Sequence, residues 1–280
     1  MTKVIRDRSW IEREYNTEKW PFIHRQVEGL MADGETSLAR LLNLSENVRR
    51  DRLPWAKGDT ERQNFVAFGN RVALPFISGF EAFNALIAEV VRKACKPETA
   101  VLVELGSGIG YNLFRAWLAG APRNIPYFAF EYTEAGRRCS ELLASAEPEM
   151  DLRAVPFDYR NPDYSSLPGD AAHLVVFTCQ SLEQVPQLPA DVFDGLMERA
   201  ERITCLHFEP IGWQLSATRD APKVDTSSQA YAESHDYNRN AWRIIKGLKA
   251  AGKIRITAVE PNLYGFVTDN AVSLISWEKA

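Results

Sequence analysis

Three glycines alternate with other residues in Glu104-Leu105-Gly106-Ser107-Gly108-Ile109-Gly110, between the apolar run 101–105 and the amphipathic stretch NLFRAWLAG. Glycines at a strand-to-helix turn reach backbone angles that other residues resist, and they let a ligand lie against the main chain. Two further acids recur at equivalent places. Glu131 closes the run YFAFE, and Asp158 follows Phe157 at the end of DLRAVPFD. A carboxylate at the end of the second strand can accept both hydroxyls of a ribose. A dinucleotide turn requires G-x-G-x-x-G, and Tyr111 occupies the place of its third glycine.

These residues need a frame that delivers them to one edge. The runs 101–105, 127–131, 151–158, 172–178 and 202–209 are almost continuously apolar, as expected of parallel strands covered on both faces. Helical stretches alternate with them, EAGRRCSELLASA after the second and DVFDGLMERA after the fourth, which predicts a doubly wound α/β sheet. After Glu209 the pattern breaks. Residues 211–236 are polar and irregular, 238–251 read as a helix, and KIRITAVE and NAVSLISWE read as a closing hairpin. Upstream, helices are expected near 24–32 and 36–50, and no strand pattern shows in 1–76. The 3,4,3 spacing of Phe80, Phe83, Ile87 and Val90 predicts a helix over 77–95.

The pattern E/D-x-G-x-G-x-G, with Glu131 and Asp158 on successive strand ends, resembles the class I S-adenosylmethionine (SAM)-dependent methyltransferases. The likeness covers roughly residues 100–210, with 253–278 as that family's terminal antiparallel hairpin. It implies a seven-stranded doubly wound sheet, six strands parallel and the last antiparallel. It further implies a helical N-terminal extension or lid over 1–96, and a Rossmann-like SAM-binding domain over 97–280 with a cap insertion at about 210–240. Carried over residue by residue, Glu104 and Gly106 contact the methionine part of SAM, and Ser107, Gly108 and Gly110 form the turn it lies against. Glu131 holds the ribose, with Tyr132 beside it. Asp158 accepts from the adenine amine, with Phe157 or Tyr159 at its face. Thr178, Cys179 and Gln180 border the sulfonium. The implied activity is methyl transfer to a small-molecule acceptor.

On the substrate side, strand alternation puts His207 and Glu209 on one side of the fifth strand, where they could bind an amine or take a proton. A His bonded to backbone and a Glu capping a loop is the plainer alternative. Tyr231 and His235 lie in a segment expected to overhang the site, with an ordinary surface helix as the alternative. Trp10, Tyr15 and Trp20 form either a lid or core packing. Three other functions stay open: transfer or cyclisation of the aminocarboxypropyl arm of SAM (as in azetidine-2-carboxylate synthases), a non-catalytic SAM-binding subunit or sensor, and an NAD-type oxidoreductase. The net charge of −4 with no basic block argues against nucleic acid. The four scattered cysteines and four unclustered histidines suggest no metal site. No apolar leader core and no run of about 20 apolar residues is present, so a cytoplasmic, non-membrane protein is expected. A homodimer is compatible with all of this.

Overall fold

The computed structural model describes residues 5–51, 58, 60–215, 226–266 and 270–280. In chain order, α1 (Arg8–Ile11) runs through a π-helix (Glu12–Lys19) into α2 (Trp20–Ala32), followed by α3 (Leu38–Asp51). A hairpin, β1 (Arg62–Ala67) and β2 (Asn70–Pro75), precedes α4 (Phe76–Ala94). The alternating part is β3 (Val101–Leu105), α5 (Tyr111–Leu118), β4 (Tyr127–Glu131), α6 (Glu134–Ala144), β5 (Leu152–Pro156), β6 (Ala171–Cys179), α7 (Asp194–Met197) and β7 (Ala200–Glu209). Then come α8 (Gly212–Leu215), α9 (Thr226–Ser234), α10 (Ala241–Ala250), β8 (Ile254–Gly265) and β9 (Val272–Lys279).

One sheet holds nine strands in the order β2-β1-β8-β9-β7-β6-β3-β4-β5. Strands β3 to β7 pair in parallel, β9 runs antiparallel to β7, and β8 antiparallel to β9. The expected doubly wound frame is therefore present, with β8 and β9 as the closing hairpin. Seven strands become nine because β1 and β2 extend the sheet beyond β8. The extension over 1–96 is accordingly not wholly helical. The hairpin turn is Phe68-Gly69, both with positive φ (50° and 74°). That is the backbone of a two-residue primed turn, reached without the Asn-Gly or Asp-Gly pair that usually announces it. The helix expected over 191–200 shrinks to the single turn α7, because β7 begins at Ala200.

Two apolar cores flank the sheet. The side chains of β3 divide between them, Leu102 to one face and Val103 and Leu105 to the other. All five residues of β3 and all five of β4 are buried, which is why both strands read as unbroken apolar runs. Only Glu104 and Glu131 interrupt those runs, and both stand near the carboxyl ends, where ligands of such sheets bind. Part of the anticipated cap, residues 216–225, lies outside the described residues.

Candidate active site

A cavity of about 280 Å³ opens at the carboxyl ends of β3, β4 and β6. That is just below the usual range for small-molecule sites, about 300–1,000 Å³. Its floor is the glycine turn. Gly106, Gly108 and Gly110 all take positive φ (69°, 56° and 76°). The Gly106 and Ser107 amides donate to the Phe130 carbonyl at 2.7 and 3.0 Å, locking the turn onto the end of β4. The Gly108 amide donates to Glu131 Oε2 at 2.8 Å. The other Glu131 oxygen accepts from the Thr133 amide and hydroxyl at 2.8 and 2.6 Å. The ribose candidate thus also braces the turn, and burial raises its pKa.

Glu104 differs. Its Oε1 accepts from Asn112 Nδ2 at 2.6 Å, but Oε2 is buried without a hydrogen-bond partner. Burial pushes this carboxyl up to about 8, with Glu131 as a lesser contributor. Ser107 Oγ is also buried and unpartnered. Both residues line the cavity. Orphaned polar atoms of this kind are rare in folded proteins and are relieved by a donor that enters the space. A protonated amine supplies such a donor to the carboxylate.

The pKa of Glu104 has a consequence for stability. Its folded value lies above its ordinary 4.5, so folding favours the protonated form. That contribution is full below pH 4.5, is lost as the pH rises toward 8, and is flat beyond. The slope within the window is at most about 1.4 kcal/mol per pH unit. Glu104→Gln removes it. The melting temperature of the ligand-free variant relative to the parent is expected to rise between pH 5 and pH 8, and an unchanged difference would refute the assignment.

Phe157, Asp158 and Tyr159 stand on the cavity wall, as do Tyr132, Cys179 and Gln180. Asp158 accepts from Arg8 at 2.7 Å and from the Arg160 amide at 2.9 Å, so the N-terminal segment is tied to the adenine candidate. Gln180 takes φ 50° and turns the chain out of β6 into the loop 181–185. Tyr159 and Ser181 hydroxyls both bond the Leu105 carbonyl (2.7 and 2.9 Å), stitching this loop to the glycine turn.

Six of the expected site residues do not border the cavity. Gly110 caps α5 and packs on Phe114. Thr178, His207 and Glu209 form a buried line behind the wall. Trp277 Nε1 donates to His207 Nε2 at 2.9 Å, so the ring proton sits on Nδ1, 3.1 Å from the Thr178 hydroxyl. Burial lowers the His207 pKa to about 3 and keeps the ring neutral. Thr178 in turn bonds Glu209. Glu209 accepts from the backbone amides of Ser181, Leu182 and Glu183 at 3.2 to 3.3 Å. It anchors the loop from beneath instead of facing substrate. Tyr231, the fifth, stacks on His235 with ring centroids 4.0 Å apart. His235 also stays off the cavity wall, and its contribution is a carbonyl that accepts from Arg6 Nε at 2.7 Å.

The N-terminal aromatics reach the cavity. Tyr15 and Trp20 line it, with Ile11 and Lys19. The Trp20 ring rests on the turn so closely that a Cβ on Gly108 would sit 2.8 Å from it. Tyr15 and Trp20 rings lie 5.5 Å apart, and the Lys19 ammonium is 4.8 Å from one ring centre and 5.1 Å from the other. The π-helix that carries Tyr15 is uncommon geometry that often marks a functional position. Arg6 pins the segment ahead of it. Its guanidinium stacks on Trp10 and Tyr237 and bonds Gln184, while its amide donates to Asp236. Sequence reasoning missed Ser181, Glu183 and Gln184, which complete the wall after β6.

No protein-family model matches this sequence, and no curated protein matches it. Solved structures do match its fold. The geranyl diphosphate C-methyltransferase from Streptomyces coelicolor A3(2), in complex with Mg2+, geranyl diphosphate and S-adenosyl-L-homocysteine, aligns at TM-score 0.50 and 13% identity, covering 84% of this chain and 97% of that one. The chain has the fold of the class I SAM-dependent methyltransferases. At such identity the likeness is one of fold. A SAM-dependent methyltransferase from Aquifex aeolicus is similar at TM-score 0.45 and 14% identity, over 69% of this chain and 89% of that one. Within this methyltransferase fold, the glycine turn, Glu131 and Asp158 occupy the ends of β3, β4 and β5. Among the described residues no group of His, Cys, Asp and Glu is arranged to hold a metal, and no helix is long and apolar enough to cross a membrane.

Proposed function

We propose that this chain is a SAM-dependent transferase that methylates a small molecule. The observation that carries the reading is the unpartnered, buried Glu104 oxygen on a glycine turn at the carboxyl edge of the sheet. The ammonium of SAM supplies the donor that Glu104 Oε2 lacks and favours its carboxylate form, which a phosphate cannot do. Glu104 would hold that ammonium, Glu131 the ribose, and Asp158 with Phe157 the adenine. Ser107 and Gly108 would line the methionine arm, and Cys179 and Gln180 would border the sulfur. SAM brings an electrophilic carbon already activated by its sulfonium, so the protein's share is chiefly positioning and exclusion of water. Tyr15 and Trp20 present aromatic faces over the turn, and aromatic faces attract cations. The acidic lining does the same at longer range.

A second reading is favoured by the aromatic cover, with Tyr15 and Trp20 on the cavity wall and Trp20 seated on the glycine turn. A covered site suits a very small acceptor, or none. In the latter case the SAM amino group would attack its own γ-carbon and close a four-membered ring. Incubation with SAM, alone and with small-molecule acceptors, separates the two. Methyl transfer gives S-adenosylhomocysteine only when an acceptor is present. Ring closure gives methylthioadenosine without one. Tight SAM binding with no turnover under any condition would overturn both and favour a sensor.

A further inference from the structure

Glu183 is a second buried carboxylate in the cavity wall with an unpartnered oxygen. It follows β6 by four residues and is 5% exposed. Its Oε1 accepts from Gln184 Nε2 at 2.8 Å, and its amide is held by Glu209 Oε2 at 3.3 Å. The neighbouring Asn238 amide donates to the Glu183 carbonyl at 3.1 Å. The residue is therefore fixed on both backbone sides and at one carboxylate oxygen, while Oε2 has nothing. The charged and titratable groups facing it come from four elements: Glu209 at the end of β7, Arg6 ahead of α1, Lys19 and Tyr15 on the π-helix, and Tyr237 after α9. Burial and, less strongly, Glu209 favour the protonated acid, Arg6, Lys19 and the Gln184 hydrogen bond the carboxylate, and the balance pushes Glu183 up to about 8.

We propose that Glu183 is the acceptor-binding base of this site and that the acceptor is a small amine. The inference rests on the reading of the cavity as a methyl-donor site. A buried carboxylate that lacks one donor, in a cavity that Tyr15 and Trp20 also line, suits an alkylammonium: the N–H completes the oxygen, and aromatic rings attract cations. An ammonium cannot attack carbon until it sheds a proton. One N–H bond breaks, its electron pair stays on nitrogen, and the proton passes to Glu183 Oε2. The nitrogen pair then forms the bond to the methyl carbon, and the carbon–sulfur pair leaves with sulfur as a neutral thioether. The product carries the amine's remaining hydrogens and one positive charge, so charge and atoms balance.

The experiment uses the full chain loaded with S-adenosylhomocysteine and titrated calorimetrically with ethylammonium, propylammonium and the isosteric neutral alcohols. The parent is expected to bind the ammonium ions and not the alcohols. In buffers of different ionisation enthalpy near pH 7, that binding should release a fraction of a proton, because pairing ionises Glu183. E183Q should bind S-adenosylhomocysteine within about threefold of the parent, lose ammonium affinity at least tenfold and release no proton. E183D, which keeps the carboxylate, should recover part of both. Ammonium binding equal in E183Q and the parent, equal binding of alcohols, or no ammonium binding to the loaded parent overturns the proposal. Failure of the parent to bind S-adenosylhomocysteine at all instead overturns the underlying reading of the cavity.

Discussion

Glu209→Ala is expected to destabilise the chain by about 3 kcal/mol or more and to weaken binding in the cavity without touching any ligand. Three buried backbone amides, those of Ser181, Leu182 and Glu183, end on this one carboxylate. Truncation orphans all three, and each unsatisfied buried donor costs about 1–3 kcal/mol. Removing a buried carboxyl whose pKa is raised to about 7 offsets part of the loss. Glu209→Gln separates the two effects in part: it carries no charge, its one oxygen can still accept from Ser181 and Leu182, and its NH2 group cannot accept from Glu183. Urea denaturation should place E209Q between the parent and E209A. An E209A variant within about 0.5 kcal/mol of the parent would show that the loop stands without its anchor.

Gly106→Ala should destabilise by about 2–5 kcal/mol, combining a left-handed backbone penalty of about 1–2 kcal/mol with overpacking of about 1–3 kcal/mol. Gly106 has φ 69°, and its Cβ would lie 2.5 Å from Ser181 Cβ. Ser181 cannot swing away cheaply, since its hydroxyl bonds both the Leu105 carbonyl and the Tyr159 hydroxyl. Relief would require the turn and the loop after β6 to part, and both line the cavity. Gly120→Ala is the control. It has φ 88° and nothing within 4 Å of a Cβ, so it bears the backbone penalty alone. Denaturation midpoints of the two variants should differ by at least about 1 kcal/mol, with G106A lower. Equal midpoints would mean that the close approach of Ser181 costs nothing.

The frame was legible where burial left a simple pattern. Strands β3 and β4 fall on the expected runs to the residue because both of their faces are covered. The closing hairpin was legible from its two extended runs, although β8 continues to Gly265, through the first part of the PNLYGFVTD segment that separates them in the sequence. The hairpin β1–β2 was not, since its strands mix Arg62, Gln63 and Asn64 with Phe65 and Val66 and its turn is Phe68-Gly69. For the site, an acid in an apolar run was a strong signal, and Glu104 and Glu131 lie on the cavity wall. Alternation correctly placed His207 and Glu209 on one side of β7, but it could not tell a side that faces ligand from one that faces Thr178 and Trp277. Glu183 carried no signal of its own. Its exposure to the cavity depends on the left-handed turn at Gln180 and on the amides that Glu209 gathers, and both arise only when the loop folds.

SAM, and not a dinucleotide, is the ligand expected in the cavity over Glu104–Gly110. Calorimetric titration of the full chain with S-adenosylhomocysteine, and separately with NAD, tests this most directly. The expected result is saturable one-to-one binding of S-adenosylhomocysteine and no heat of binding from NAD. Binding of NAD, or of neither compound, would contradict it.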